Sequence, residues 1–498
     1  MSQNNHNWKT GAEKVLGRLM FIALIVFLGM FIWFSSFAYH IPGICLALVV
    51  WGVLVVCIRH LFRSRQVTVP EWTPFFLGVL TFVVRCGYCL LVDKHITQVS
   101  DFGVVLSEAQ SGVFSDRLEY YRIFLHKFIY PFLLHTFHMN SQTKILIFQC
   151  VCVSFVTCGV YLIGKKVACA EVGLEAGILY ALWPAQTIYT SIVSEEHVAA
   201  LLTVYIILWV ITLRSQIEQI VSLKDTRIGY ILLESVGIGL LCGATAFFKD
   251  WAAVILVASI ICSLYLLITY TNPQRVILIL CMILCIFGRG IVQKGVVSLA
   301  EHELGIEVNN DGVIYKQMYT TLAPDAPGDY NEALIAEYMQ MAEDNDFDFA
   351  QTNKMAMEIL WERIRADYKK MPNLLLRKAK MAYENDSVMF FWAFEKGLDK
   401  EEYEQFADVI GAAIGLDTFF YLFMLIGIVI SAVTVRNKDI FFMLLCILGG
   451  MMVSLIIESQ GRYKYSIEPL WTVPVAYSIY MLCQCDWANV LQRIKGKQ

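Results

Sequence analysis

The sequence predicts an all-α polytopic membrane protein of about twelve transmembrane helices with a helical extracytoplasmic loop domain. Three observations predict it. The chain has 498 residues, of which 57% are hydrophobic and 16% charged, against about 25% charged in a soluble domain. Its mean hydropathy is +0.58. Apolar runs of roughly twenty residues, each long enough to cross a bilayer core, recur along it. The net charge is only −4 and no basic patch is interleaved with aromatics, so nucleic acid is excluded as a partner. Membrane lipids are the surroundings the composition implies.

Span centres fall near Ala23, Val50, Leu80, Cys152, Leu179, Ile206, Leu240, Ala258, Leu284, Leu425, Leu448 and Ala476. The first apolar run follows a polar, mildly basic start and has no small-residue cleavage site, so it reads as a retained span. Lys and Arg in the short loops set the orientation. Lys9, Lys14 and Arg18, then Arg59, Arg63 and Arg65, Lys165 and Lys166, Arg214, Lys224 and Arg227, Arg275, Arg436 and Lys438, and finally Arg493, Lys495 and Lys497 all fall on one side if both termini are cytoplasmic.

The expected organisation is therefore an N-terminal transmembrane module over 1–293, whose first extracytoplasmic loop is 93–142. An extracytoplasmic helical loop domain follows over 294–412, and C-terminal transmembrane helices over 413–498. Within the loop domain, Tyr330 to Glu343 and Ala350 to Lys370 carry apolar residues at helical spacing. Met371-Pro372-Asn373 breaks the pattern. Leu374 to Phe394 resumes it, with Arg377, Lys378 and Lys380 near its start and Phe390, Phe391, Trp392 and Phe394 at its end. Such a stretch is expected along the interface, aromatics among the headgroups. None of the fifteen Cys falls in the two long polar loops. The CxxC of Cys86 and Cys89 lies in an apolar helix without a second pair, which reads as small buried thiols rather than a metal or redox site.

Five places break the apolar pattern in ways that suggest chemistry. Asp101, in Ser100-Asp101-Phe102-Gly103, comes soon after span three leaves the membrane and is the candidate catalytic base; the plainer alternative is a solvated loop carboxylate. Glu195 and Glu196, before His197, open the span near Ile206; they read as an acid helper site or as acids favoured by a helix N-terminus. Lys249-Asp250 interrupts a run too long for one span and marks an outer turn; Lys249 would hold a lipid phosphate, unless the pair is merely a polar turn. Arg85 lies inside span three, where a charge costs several kcal/mol unless paired or hydrated; Arg289 is a weaker case, since long cations snorkel. Glu458-Ser459-Gln460-Gly461-Arg462-Tyr463-Lys464-Tyr465 packs Glu458, Arg462, Lys464 and Tyr463 between two spans, and reads as a phosphate site against an ordinary tyrosine belt. There is no P-loop, GxGxxG, GxSxG or HExxH, which weighs against ATP-driven transport by this chain.

In this arrangement the chain resembles the membrane-embedded GT-C glycosyltransferases, in particular the branch of protein O-mannosyltransferases and lipid A aminoarabinose transferases. Ser100-Asp101, Glu108-Ala109 and Tyr130-Pro131-Phe132-Leu133-Leu134 look like that family's first extracytoplasmic loop. Gly239 to Lys249 looks like its small-residue helix ending in a cation, Met371-Pro372 with Lys380 like the pattern before its late spans, and Glu458 to Tyr465 with Pro469 like its late Arg-Tyr-Pro segment. The chain departs from the family where Asp101 is followed by Phe102 instead of a second acid, where Lys249-Asp250 replaces Arg-Pro, and where two extra spans precede the catalytic loop, against one in the usual pattern.

The resemblance implies an inverting, bacterial-type transfer of a sugar from a polyprenyl-phosphate donor to an extracytoplasmic cell-wall polymer, glycan, lipid or protein. Asp101 would be the base. Lys249, Arg462, Lys464, Tyr463 and further Lys380 or Arg289 would hold the lipid phosphate. The resemblance fixes no cofactor and leaves a divalent metal open. The rival class is a secondary transporter or a lipid or glycan flippase, which Arg85 favours.

Overall fold

The computed structural model describes residues 69–111, 129–136, 141–304, 312–435 and 437–484, together with Val49 and Val53. The expected spans near Ala23 and Val50, and the cations from Lys9 to Arg65, Arg436 and Arg493 to Lys497, lie outside these residues.

Among the described residues the regular structure is helical throughout. The helices are α1 (Thr73–Val92), α2 (Ser100–Ser111), α3 (Tyr130–Thr136), α4 (Ser141–Val167), α5 (Ala170–Ala181), α6 (Pro184–Tyr189), α7 (Glu196–Glu218), α8 (Ile228–Thr245) and α9 (Trp251–Thr269). They continue with α10 (Asn272–Leu304), α11 (Gly312–Thr321), α12 (Glu332–Asp344), α13 (Phe349–Ala366), α14 (Met371–Tyr383), α15 (Ser387–Phe390), α16 (Lys400–Thr434), α17 (Lys438–Ile456) and α18 (Thr472–Gln484). Eight of the described helices are long and apolar enough to cross a membrane: α1, α4, α7, α8, α9, α10, α16 and α17.

The expected span near Leu179 is a correction. Pro184 restricts the residue before it and lacks an N–H, so α5 stops at Ala181 after twelve residues and α6 restarts at Pro184. Neither helix alone covers a bilayer core. The break also explains Arg85. Its guanidinium donates to the carbonyl oxygens of Tyr180 at 3.0 Å and Gln186 at 3.1 Å, and it stacks 4.6 Å over the Tyr180 ring. A helix end inside a bundle leaves carbonyls without partners, and Arg85 supplies the donors.

Small residues let the spans approach closely, as in membrane helix packing generally. A Cβ at Gly239 on α8 would lie 2.4 Å from the Cys285 carbonyl oxygen of α10. The loop between α8 and α9 turns at Lys249-Asp250, as expected, and Asp250 caps α9 by accepting from the Ala253 amide.

The region between α10 and α16 has a small core of its own around Tyr319, Tyr338, Ala356 and Leu360. Pro372 stands in the first turn of α14, where its missing N–H costs nothing; the expected break is thus a helix start. The boundaries expected at 293/294 and 412/413 both fall inside continuous helices, α10 and α16. Leu374 to Phe394, the stretch expected along the interface, packs part of its aromatic end against the bundle. Phe390 is buried in the main core, and Trp392, within the π-turn Phe391–Glu395, packs edge-on to Phe102 with centroids 5.4 Å apart.

The described cysteines are all free thiols. The described loop cations Lys224, Arg227, Arg275 and Lys438 gather at the end of the bundle where α4, α7 and α9 finish and α8, α10 and α17 begin. There Arg214 pairs with Asp439, Lys438 with Glu218 at 3.3 Å, and Asn437 donates to the Val167 carbonyl at 2.6 Å.

Candidate active site

At the opposite end, four chain segments far apart in sequence meet. The first is the start of α2. Thr97 donates its N–H to the Gly397 carbonyl at 2.7 Å, and Gln98 exchanges hydrogen bonds with Ser191 and Val193. Ser100 takes a left-handed φ of 54°, which turns the chain sharply into α2 and puts Asp101 in its first turn.

The second segment is the turn before α7. Gln149 of α4 donates to the carbonyls of Thr190 and Ile192 and accepts from the Ser194 amide. This buried amide does for the turn what a backbone strand would do in a sheet. It fixes Glu195 and Glu196 at the N-terminus of α7, where negative charge is favoured. Burial first, then the neighbouring Glu196, pushes Glu195 up to about 7. His197 is buried, its Nδ1 2.8 Å from the Tyr465 hydroxyl and its Nε2 3.3 Å from the Ile192 carbonyl. It orders the site from behind.

The third and fourth segments bring the cations. Arg462 stands in the 3-10 turn Gly461–Lys464. Its Nη2 lies 3.0 Å from Asp101 Oδ2, and its Nε donates to Gln460 Oε1 at 2.7 Å. Phe102 at 4.9 Å, Trp392 at 5.4 Å and Tyr463 at 5.5 Å surround its guanidinium. Lys249 sits 3.5 Å from Glu196 Oε1 and 3.9 Å from the centre of the Tyr463 ring. Ser194 donates its hydroxyl to the other oxygen of Glu196. Tyr463 thus contacts both cations, and its hydroxyl donates to Glu458 at 3.2 Å. Rings carry negative charge on their faces, so Tyr463 and its neighbours hold both cations in place without neutralising them.

Burial divides the charges. Arg462 is 8% exposed and Glu196 2%, whereas Asp101 is 55% and Lys249 24% exposed. Each pair therefore has one anchored member and one that faces open space. A pair of this kind can exchange its open partner for another charged group at lower cost than a fully sealed pair.

Other candidates are placed differently. Arg289 pairs with Asp250 across α9 and α10, beside the Lys249 turn. Lys380 lies half-exposed, 3.7 Å from Glu384 one turn along α14, outside the contacts of the cluster. Lys464 points into the protein. It is 1% exposed, with Asp386 at 2.8 Å, the Asn385 carbonyl at 2.7 Å, the Tyr421 hydroxyl at 3.1 Å and Glu468 at 3.8 Å. Arg85 serves the α5–α6 break, as described above.

The sequence reading did not single out Asp386, Asp417 or Glu468, and gave Lys378 only as part of a basic cluster and Trp392 only as part of an aromatic end. Asp417, an acid in the middle of an apolar span, and Glu468, before Pro469 in an apolar run, carried a signal: charge in such places is costly. Asp386 accepts from the Trp183 indole at 3.1 Å, Asp417 from the Ala185 amide at 2.9 Å and Glu468 from Gln186 at 2.6 Å. Burial, then Asp386, holds Glu468 well above the usual carboxylate range. Lys378 donates to the carbonyls of Gly328 and Ile457 at 3.1 and 2.6 Å, and burial lowers its ammonium to about 7.

Among the described residues, no group of three or more His, Cys, Asp or Glu is placed to hold a metal ion. Asp101 and Glu196 each already face a cation. This donor set does not fit a divalent metal, and no step below uses one.

No family model matches the chain, and no curated protein matches it. Among solved structures it is similar to the oligosaccharyltransferase AglB of Archaeoglobus fulgidus in complex with an inhibitory peptide and a dolichol-phosphate. The identity is 12%, the TM-score 0.44, and the match covers 84% of this chain and 50% of that one. It is also similar to an Archaeoglobus fulgidus oligosaccharyltransferase in the apo form, at 11% identity, TM-score 0.46, and coverage of 82% and 50%. The same enzyme tethered to an acceptor peptide matches at 10% identity, TM-score 0.44, and coverage of 82% and 49%. The chain spans about half the length of these proteins.

Proposed function

We propose that the chain is an integral-membrane glycosyltransferase that moves a sugar from a polyprenyl-phosphate donor to an extracytoplasmic acceptor, with inversion. The observation that carries this reading is the convergence of Asp101–Arg462 and Glu196–Lys249 on Tyr463, at one end of a bundle of apolar helices. Charge at the mouth of such a bundle suits a substrate with a lipid tail in the bilayer and a phosphate at its surface. The end rich in loop Lys and Arg would face the cytoplasm, which leaves this cluster outside.

The acceptor hydroxyl attacks the anomeric carbon and forms the new C–O bond. The bond from that carbon to the phosphate oxygen breaks, and its electron pair leaves with the lipid phosphate. Asp101, the exposed acid, takes the hydroxyl proton. Arg462 and Lys249 turn from their carboxylates toward the leaving phosphate, which binds Arg and Lys strongly in a dry site. Glu195, whose hold on a proton is raised by burial and by the neighbouring Glu196, is a second proton acceptor at the same place. The acceptor's chemistry (polymer, glycan, lipid or protein) is left to experiment.

The transporter reading leaned on Arg85, whose guanidinium instead closes a helix break, so nothing specific now favours it. The test is release of lipid phosphate by the purified protein from a panel of polyprenyl-phosphate sugars, wild type against Asp101→Asn. Turnover with one donor that collapses in the folded variant supports the reading. Turnover that persists moves the base to Glu195 or Glu196. No turnover with any donor and crude acceptor extract overturns it.

A further inference from the structure

Lys378 is a buried cation that the reading above leaves unused. It stands on α14, fully buried, and its ammonium donates to the carbonyls of Gly328 at 3.1 Å and Ile457 at 2.6 Å. The two carbonyls belong to different parts of the chain. Gly328 comes two residues after Ala326, a member of the small core between α10 and α16. Ile457 is the C-cap of α17 and directly precedes Glu458. Neighbours reinforce the join: the Ser459 amide donates to the same Gly328 carbonyl at 3.2 Å, and Arg377 donates to the Ala326 carbonyl at 2.9 Å. Gly328 has a φ of 101°, and a Cβ there would lie 2.7 Å from Lys378 Cγ. Glycine alone suits both the backbone and the space. The stem of Lys378 is thus pressed on the Gly328 backbone, with its head between two segments.

The cost of that head points to its use. Taking an ammonium out of water costs several kcal/mol, and Met would fill the same space without the charge. What only the ammonium adds is donors to both carbonyls. From there a line of hydrogen bonds runs to the mouth of the bundle. Glu458 accepts from the Gln460 amide group and, at 3.2 Å, from the Tyr463 hydroxyl. Gln460 accepts from Arg462 Nε at 2.7 Å, and Arg462 meets Asp101 at 3.0 Å. We propose that Lys378 is a positioning residue for Arg462: it clips the turn that carries Arg462 to the region between α10 and α16, and so fixes the guanidinium that faces the donor phosphate. The phosphate role rests on the function proposed above, whereas the clip does not. A misplacement of about 1 Å in such a group can cost about 10²-fold in rate.

The test uses the full chain in detergent. Lys378→Met keeps the stem and removes the donors. Gly328→Ala keeps the lysine and displaces its stem, and it is the deciding variant if the first fails to fold. In either, hydrogen–deuterium exchange should quicken about tenfold at the Ser459, Tyr463 and Tyr465 amides, the scale of one lost hydrogen bond. It should keep the wild-type rate around the Arg214–Asp439 pair at the other end of the bundle, which general destabilisation would also loosen. With a donor that turns over, its KM should rise about tenfold, since Arg462 meets the phosphate before the reaction as well as during it. A merely less folded protein would lose kcat and keep its KM. Lys354→Met, exposed on α13, should change neither reading. Wild-type exchange at the turn, or an unchanged KM for an active donor, would overturn the proposal. If no donor turns over even in the wild type, the proposed function fails by itself and the exchange rates alone decide the clip.

Discussion

Arg462 and Lys464 are two residues apart on one turn and live in opposite worlds. Arg462 meets Asp101, whose side chain is 55% exposed. Lys464 meets Asp386 and Glu468, neither of which is exposed at all. A 3-10 turn has about three residues per revolution, so neighbours two apart point to different sides. The turn thus sends one cation to the mouth of the bundle and the other into its core. The lesson concerns desolvation. Both are acid–cation pairs, but the open one can trade its partner, while the sealed one would leave an uncompensated charge. The open pair is suited to chemistry and the sealed one to holding the turn that presents it.

The largest effect that can break this contrast is on folding. Lys464→Ala should destabilise the protein by about 3–5 kcal/mol, the usual cost of removing one partner from a buried ion pair, read by chemical unfolding in detergent. A loss below about 1 kcal/mol, typical of surface pairs, would erase the contrast. Arg85→Leu comes next. It strips one donor each from the Tyr180 and Gln186 carbonyls, which keep the Trp183 amide at 3.4 Å and the Thr190 hydroxyl at 2.9 Å, so the loss should be about 1–3 kcal/mol in all. A variant as stable as the wild type would mean that the α5–α6 break satisfies itself.

Glu195 offers a pH test. Its folded value of about 7 lies above the ordinary 4.5, so the folded state holds the proton more tightly. The stability it contributes is whole below about pH 4.5 and is lost as pH rises to about 7. Glu195→Gln should remove that slope, so that thermal unfolding of variant and wild type differs at pH 8 and converges near pH 4. Parallel curves would place Glu195 in a wetter setting. The smallest effect is Lys380→Ala, whose exposed pair with Glu384 should matter by less than about 0.5 kcal/mol. Turnover should also hold at the wild-type rate, and a large loss would bring α14 into the site.

How far the sequence could be read follows the range of each interaction. Apolar runs, the Lys249-Asp250 turn, the acids opening α7 and the interruption of the helical pattern near Met371-Pro372 are local, and local patterns show them. Asp101 and Arg462 were each visible as unusual, but not that they touch. They are 361 positions apart, and no periodicity encodes such a meeting. Lys464 could not be told from Arg462 because the turn type was not legible. Arg85 looked like a buried charge seeking a counter-ion, since the Pro184 break that it serves lies about a hundred residues away.

The most direct measurement sets lipid-phosphate release against stability in one pair of proteins, the wild type and Asp101→Asn. Asp101 is half in solvent, so the variant should unfold within about 1 kcal/mol of the wild type. It should lose turnover by about 10²–10⁴-fold, as expected for a positioned base. Wild-type turnover from a stably folded Asp101→Asn would contradict the assignment of the open pair to chemistry.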